Sequence, residues 1–290
     1  MISSNDNNDD DNVSNESNEL GLLYNDDNDS IDDIDDVIED DDVKELREQF
    51  RIPRAITLKF DYYTRVIDTD TSPKELKLAL VKKHHSLWAE YVYNASRVLA
   101  DYIDTQKINC INKSVLELGA AAGLPGIIAS LNGAETVIIT DYGTDSEKDL
   151  IYAIDINIAS IKQYITKATT VVGMDYIWGY SCDKFISFNS GKLFDIVIMA
   201  DLIFNRSEHR KLLKTLKMTL SQNGECWCCF SHHDPHKREL DLAFFTIAEE
   251  EFGFIVSKEG QEQRQSYPFV EDDGRDNERG VVYIYKIVAR

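Results

Sequence analysis

Apolar and polar positions change their period repeatedly along the chain between residues 114 and 252. Short apolar runs are typical of buried strands, and they cover residues 114–118, 136–141, 168–173, 194–201 and 224–231. Between them, apolar residues three and four positions apart indicate helices over residues 124–133, 146–162, 207–220 and 237–252. Buried strands that alternate with helices predict a mostly parallel sheet covered on both faces, which is a doubly wound α/β fold.

The two ends of the chain depart from this alternation. Residues 56–67 predict an early strand, and residues 84–103 predict a helix. Near the carboxyl terminus, an acidic loop with no helical pattern joins the predicted strands at residues 254–259 and 281–288. A strand reached without a crossover helix runs antiparallel to its neighbour, so we expect one antiparallel strand near the sheet edge.

Charge separates the first 50 residues from the rest of the chain. The 290 residues carry a net charge of −21, and residues 1–50 hold 19 Asp/Glu against 2 Lys/Arg. Such a segment cannot bury enough apolar surface to offset its ordering entropy, so we expect a disordered acidic leader. The nearly neutral remainder, residues 55–290, is predicted to form one domain. It shows no basic stripe, which argues against nucleic-acid binding.

The cysteines and the apolar runs limit where the protein works. The sequence has 5 cysteines, an odd number, and three of them lie in the predicted buried strand ECWCCF, which is typical of reduced thiols. The first residues lack the basic and apolar regions of a secretory signal, and no apolar run approaches the roughly 20 residues of a membrane span. These features indicate a cytosolic or nuclear protein, and of the two we predict the cytoplasm. We also expect a monomer that does not bind a membrane.

A glycine-containing loop, GAAAGLPG at residues 119–126, follows the first strand of the alternating region. A dinucleotide loop reads G-x-G-x-x-G, and its second glycine lets a pyrophosphate approach the backbone. Ala121 stands at that place, and its methyl group disfavours a pyrophosphate but not a smaller ligand without phosphate. S-adenosylmethionine is such a ligand.

Two carboxylates strengthen this interpretation. Glu117 lies at the end of the first strand, and Asp141 ends the second strand, 22 residues after Gly119. An acid about 20 residues beyond such a loop meets ribose hydroxyls, and both oxygens of a carboxylate can accept them. The loop alone could be an ordinary strand-to-helix turn, but the loop with both acids predicts a nucleoside site.

Several segments together resemble the seven-β-strand methyltransferases that depend on S-adenosylmethionine. The segments are VLELGAAAGLPG at 115–126, VIITDY at 137–142, Y-N-A at 93–95, W-G at 178–179 and D-L-I-F at 201–204. The last three are similar to the branch that methylates lysines of non-histone proteins. DLIFNRSEHRKLLKTLK and FSHHDPH further resemble the fungal group that acts on elongation factor 1-alpha. The resemblance implies a Rossmann-like methyltransferase domain, S-adenosylmethionine as cofactor, and methylation of the N-terminal amine and an adjacent lysine of that protein.

The resemblance also implies roles for individual residues. The candidate cofactor-binding residues are Tyr93, Glu117, Gly119, Ala120, Ala121, Asp141, Trp178 and Ala200. Asp201 and Phe204 are the candidate catalytic residues, because a carboxylate attracts a cationic amine and an aromatic ring favours it by cation–π contact. Tyr93 stands where the family usually has tryptophan. Tyr93 and Trp178 could also be ordinary core aromatics.

The segment SHHDPH raises a metal hypothesis, since it contains His232, His233, Asp234 and His236. Adjacent histidines point in different directions on an extended chain, and the cysteines complete no zinc spacing. We therefore expect no metal here but a loop close to the substrate.

The sequence leaves three functions open. The first is a protein N-methyltransferase, and the second is a methyltransferase for a small nicotinamide-like amine. The third is a non-catalytic module that binds partners through its acidic leader.

Overall fold

The computed structural model describes residues 41–52, 56–82, 89–143, 149–265 and 276–290. Residues 41–290 form a compact unit. The predictions made for residues 1–40, for the beginning of the helix proposed at residue 84 and for residues 271–275 of the acidic loop lie outside the described residues. Residues 276–279 of that loop, for which no helix was predicted, form a short helix.

Strands in the described ranges form two sheets. They are β1 (Thr57–Thr64), β2 (Glu75–Lys82), β3 (Ser114–Leu118), β4 (Thr136–Asp141), β5 (Thr170–Asp175), β6 (Phe194–Ala200), β7 (Leu220–Phe230), β8 (Phe254–Gln263) and β9 (Val281–Ala289). β1 and β2 pair antiparallel, and the other seven have the order β5-β4-β3-β6-β7-β9-β8. β9 is antiparallel to both of its neighbours, β7 and β8, one position from the edge. The predicted doubly wound sheet with one antiparallel strand near its edge is therefore confirmed.

Helices cover both faces of the larger sheet. The α-helices in the described ranges are α1 (Asp41–Phe50), α2 (Asn94–Asp104), α3 (Leu124–Leu131), α4 (Asp149–Ile161), α5 (Asp183–Phe188), α6 (His209–Thr219), α7 (Arg238–Glu250) and α8 (Asp276–Arg279). Successive side chains of a strand point to opposite faces. Val115 of β3 accordingly belongs to a hydrophobic cluster that includes residues of α2 and α3, whereas Leu116 belongs to a cluster that includes residues of α5, α6 and α7.

The N-terminal boundary differs from the one predicted by composition. Residues 41–50 belong to the acidic segment by charge, yet they form α1 within the compact unit. Val43, Leu46 and Phe50 recur on one face of this helix, and they pack in a cluster that includes Ile156 of α4. An apolar stripe of this kind lets residues 41–50 pack within the compact unit despite their acidic surroundings.

The strand order places a crevice beside β3. β4 lies on one side of β3 and β6 on the other, and all three run parallel. Ligands of open α/β sheets bind at the carboxyl ends of the strands where the order reverses in this way. No helix in the described ranges is long and apolar enough to cross a bilayer.

Candidate active site

A cavity of about 400 Å³ lies at the carboxyl ends of the parallel strands. Its walls come from the segments that follow β3, β4, β5 and β6, together with residues 89–96 ahead of and at the start of α2. Tyr93 precedes α2 in extended conformation, so the helix begins ten residues later than predicted and residues 91–93 reach the cavity wall. The volume is typical of a pocket for a cofactor or a small ligand.

The loop after β3 adopts left-handed backbone at three positions. Gly119 has φ 60°, Ala121 has φ 50° and Gly123 has φ 72°. A Cβ atom at Gly119 would lie 2.6 Å from Leu202 Cδ2 and 3.0 Å from Trp178 Cζ2. Glycine there lets the backbone approach the opposite wall, and Ala121 keeps the turn despite the cost of its side chain.

Asp141 is fixed at the tip of β4 by backbone donors. The Ala121 N–H donates to Asp141 Oδ2 at 2.5 Å, and the Tyr142 N–H donates to Oδ1 at 2.6 Å. Burial raises the pKa of this carboxyl to about 6, while the two backbone hydrogen bonds oppose the shift. Each carboxylate oxygen can accept a further hydrogen bond, so the group can receive a pair of ribose hydroxyls.

Glu117 lies behind the loop rather than in the cavity wall. The Gly126 N–H donates to its Oε2 at 2.8 Å, whereas the buried Oε1 has no hydrogen-bond partner among the described residues. Burial raises the pKa of Glu117 to about 8, the Gly126 hydrogen bond opposes that rise, and the charge of Asp141 adds to it. A cationic ligand group near the loop would stabilise the charged form of this carboxyl.

The wall beyond β5 is held by a polar cluster that sequence patterns did not identify. The Tyr176 hydroxyl lies 3.1 Å from Thr215 Oγ1 and 3.2 Å from Cys182 Sγ. The Gly179 N–H donates to Thr215 Oγ1 at 2.8 Å. These contacts fix the turn that carries Trp178, which lines the cavity.

Asp201 follows β6 on the opposite side of β3 from Asp141. Its backbone has φ 59°, and its N–H donates to the Cys229 carbonyl at 2.7 Å. The Ser231 N–H donates to Asp201 Oδ1 at 3.1 Å, and His233 Nε2 lies 3.0 Å from Oδ2. Left-handed backbone at a residue other than glycine is strained, and such strain is concentrated at functional sites.

Aromatic rings surround this carboxylate. The His233 ring is stacked on Phe204, with centroids 4.5 Å apart and planes 14° apart. On another side it is stacked on Tyr93 at 5.9 Å and 18°. Phe204, Tyr93 and Tyr91 line the cavity, and Tyr91 meets Tyr93 edge to face at 6.1 Å. Sequence patterns placed the loop of His233 near the substrate but gave this histidine no role.

The histidines of the SHHDPH segment diverge. His232 Nδ1 pairs with Asp241 Oδ2 at 2.8 Å, and Arg206 Nε donates to Asp241 Oδ1 at 2.8 Å. His233 turns instead towards Asp201. Within the described part of the chain, no three His, Cys, Asp or Glu side chains are grouped to hold a metal ion.

Nine of the ten predicted site residues line this one cavity, and Glu117 is the exception. The charged side chains of the wall are Asp141, Asp201, Glu208 and Lys211, and the last two form an ion pair at 2.9 Å. An excess of carboxylates favours a cationic ligand. The sulfonium and amino groups of S-adenosylmethionine satisfy that requirement, and the close-packed Gly119 and the buried Glu117 fit a ligand laid against the loop.

Comparisons with known proteins point to an enzyme family. Residues 72–251 match the family model described as lysine methyltransferase. A protein N-terminal and lysine N-methyltransferase of Schizosaccharomyces pombe is 40% identical over 230 residues, which cover 78% of this chain and 86% of that protein. Proteins of the same description from Debaryomyces hansenii and Candida glabrata are 38% and 36% identical, covering 80% and 82% of this chain and 89% and 91% of theirs.

Proposed function

Since the chain belongs to the lysine methyltransferase family, we propose that it methylates the N-terminal amine and a nearby lysine of elongation factor 1-alpha. The protein is an N-methyltransferase whose cofactor is S-adenosylmethionine. The observation that carries the proposal is one cavity with Asp141 at the tip of β4 and Asp201 at the tip of β6. A methyl donor bound at Asp141 and an amine acceptor bound at Asp201 would meet beside β3.

The residues of this chain divide into a donor side and an acceptor side. When bound, S-adenosylmethionine supplies an activated methyl group. The loop at residues 119–121 would hold its methionine part, Asp141 its ribose, and Trp178 its adenine, while Ala200 would close the wall. The protein must then orient the acceptor nitrogen towards the methyl group and keep water out.

Asp201 and Phe204 would receive the acceptor. An amine arrives largely as a cation, because an α-amine has a pKa of about 7.7–8.0 and a lysine of about 10.4. The carboxylate attracts this cation, and the ring face of Phe204 stabilises it. The amine must lose a proton before it can attack, which is easier for the α-amine than for lysine.

Two observations support a protein acceptor over a free small molecule. The relatives are described as protein N-terminal and lysine N-methyltransferases, and this chain spans most of their length. The segments DLIFNRSEHRKLLKTLK and FSHHDPH resemble the fungal group that acts on elongation factor 1-alpha. The five free, buried cysteines agree with a reducing compartment, so we include cytoplasmic action as a monomer in the proposal.

Methyl transfer tests the acceptor directly. Recombinant, unmethylated elongation factor 1-alpha and free nicotinamide are each incubated with the enzyme and labelled S-adenosylmethionine. Labelling of the protein at its amino terminus and a nearby lysine, with none of nicotinamide, is the expected result. Labelling of nicotinamide alone would reverse the assignment.

Asp201→Ala tests whether Asp201 serves the acceptor amine or the cofactor. We expect this variant to lose methyl transfer while binding adenosylhomocysteine with nearly unchanged affinity, because Asp201 lies on the acceptor side. Calorimetry measures the affinity. Loss of cofactor binding with the same substitution would show that Asp201 belongs to the donor side.

Deletion of residues 1–40 tests the role of the acidic leader. An enzyme whose machinery lies entirely in the compact unit keeps its turnover after this deletion. A module that works through the leader would lose its partner instead.

A further inference from the structure

The His233 side chain contacts Phe204, Tyr93 and Asp201, which all line the cavity. Its ring is stacked on Phe204 and on Tyr93, and its Nε2 lies 3.0 Å from Asp201 Oδ2. The side chain is 16% exposed, so it is largely enclosed by these partners. An imidazole in this position restrains both the carboxylate and the ring that the acceptor amine would meet.

The loop that carries His233 is anchored by other groups. His232, the preceding residue, pairs with the buried Asp241 at 2.8 Å. The Asp234 side chain accepts a hydrogen bond from the His236 N–H at 3.2 Å. The His233 carbonyl oxygen accepts one from Arg279 Nε at 3.1 Å. These contacts fix the backbone of the loop, and the imidazole of His233 contacts residues of the cavity wall.

We infer that His233 is a positioning residue for the acceptor amine: its Nε2 holds the Asp201 carboxylate in the orientation that methyl transfer requires. This inference rests on the proposed function, because Asp201 matters only if an amine binds beside it. Asp201 Oδ1 is held by a backbone N–H, whereas Oδ2 is held by His233, a side chain that substitution can remove. Loss of this contact would free the carboxylate to rotate and leave the donor side unchanged.

Two substitutions separate the hydrogen bond from the stacking. His233→Gln places an amide donor near the position of Nε2 but removes the ring. His233→Phe keeps a ring between Tyr93 and Phe204 but removes the donor. His236→Gln is the matched control, since His236 is an exposed residue of the same loop that lines no cavity wall.

The measurements are kcat and KM for unmethylated elongation factor 1-alpha, adenosylhomocysteine affinity by calorimetry, and thermal unfolding. We expect His233→Phe to lower kcat about tenfold or more, which corresponds to losing one hydrogen bond to a charged group. We expect His233→Gln to retain most of kcat, and both variants to bind adenosylhomocysteine and unfold like the wild type. His236→Gln is expected to match the wild type throughout.

Several outcomes would overturn the inference. Wild-type kcat in His233→Phe would do so, and so would an equal loss of kcat in both variants, since the ring would then matter instead of the donor. A parallel loss of cofactor affinity and thermal stability would assign His233 to the fold alone. A wild-type enzyme that binds adenosylhomocysteine but does not methylate this protein would contradict the proposed function itself, and the inference with it.

Discussion

The side-chain amide of Asn157 donates a hydrogen bond to the Ala122 carbonyl oxygen at 2.9 Å. The same nitrogen donates to the Ala79 carbonyl at 2.9 Å, and the amide oxygen accepts from the Ala79 N–H at 2.7 Å. One buried residue of α4 therefore joins the loop after β3 to the second strand of the β1–β2 sheet. The cavity loop is thus braced from a sheet that contributes no residue to the cavity wall.

We predict that Asn157→Leu destabilises the protein and weakens cofactor binding. The substitution leaves three buried backbone groups without a partner, and each such group costs about 1–3 kcal/mol. The loop also loses its support at Ala122. Thermal or denaturant unfolding and calorimetry with adenosylhomocysteine measure the two effects.

Ser160→Ala is the control for this substitution. Ser160 lies on the same helix, and its hydroxyl donates only to the Asn157 carbonyl, at 2.7 Å. We expect wild-type affinity in the control. Equal adenosylhomocysteine affinity in both variants would mean that the Asn157 hydrogen bonds do not influence cofactor binding.

The buried Glu117 predicts an unusual pH dependence of stability. Its pKa lies at about 8 in the folded protein, against an ordinary value of 4.5. Between these values the folded state binds more protons than the unfolded state, so stability falls as the pH rises and levels off above about pH 8. Glu117→Gln removes this titration, so the variant should not show this loss of stability between pH 4.5 and pH 8.

Unfolding midpoints of the wild type and Glu117→Gln across this range test the pH dependence. The stability difference between the two proteins should grow from pH 4.5 to pH 8. A difference that does not change with pH would show that Glu117 is charged in the folded protein throughout.

Substitution of Asp141 should affect cofactor affinity specifically. Asp141→Asn removes the charge and one acceptor from the group proposed to bind the ribose, so we expect about tenfold weaker binding of adenosylhomocysteine. Asp175→Asn is the matched control, since Asp175 is the register partner of Asp141 on β5 and pairs with Lys184 outside the cavity wall. Calorimetry should show weaker binding of adenosylhomocysteine in Asp141→Asn only. Equal affinities in the two variants would show that Asp141 does not bind the ribose.

Alanine substitutions at Gly119 and Gly133 distinguish backbone strain from steric conflict in the cavity wall. Both have positive φ, at 60° and 84°, but a Cβ at Gly119 meets Leu202 and Trp178, whereas one at Gly133 meets nothing within 4 Å. An alanine in left-handed backbone costs about 1–2 kcal/mol in either place. We expect Gly119→Ala to lose cofactor affinity as well as stability, and Gly133→Ala to lose stability alone. Equal affinities in calorimetry would mean that the loop tolerates the methyl group.

The sequence by itself determined the sheet and the position of the glycine-containing loop after β3. The predicted bounds of β3 and β4 match those of the structure, because a fully buried parallel strand reads as a continuous apolar run ended by turn residues. Gly119 and Asp141 line the cavity as predicted for the same reason: they lie at strand ends whose order the alternation predicts, whereas Glu117 lies outside the cavity wall.

Only the tertiary structure decided the contacts between remote segments. β2, with the sequence ELKLALVK, was not predicted, since its lysines, leucines and alanine favour a helix when read locally. It is a strand because it pairs with β1 and is held by Asn157, 78 residues further along the chain. His233 likewise reaches Asp201 across 32 residues, through a turn whose direction is set by His232 and Asp241. Periodicity reports which face of an element is buried, but packing alone decides which distant side chains share a site.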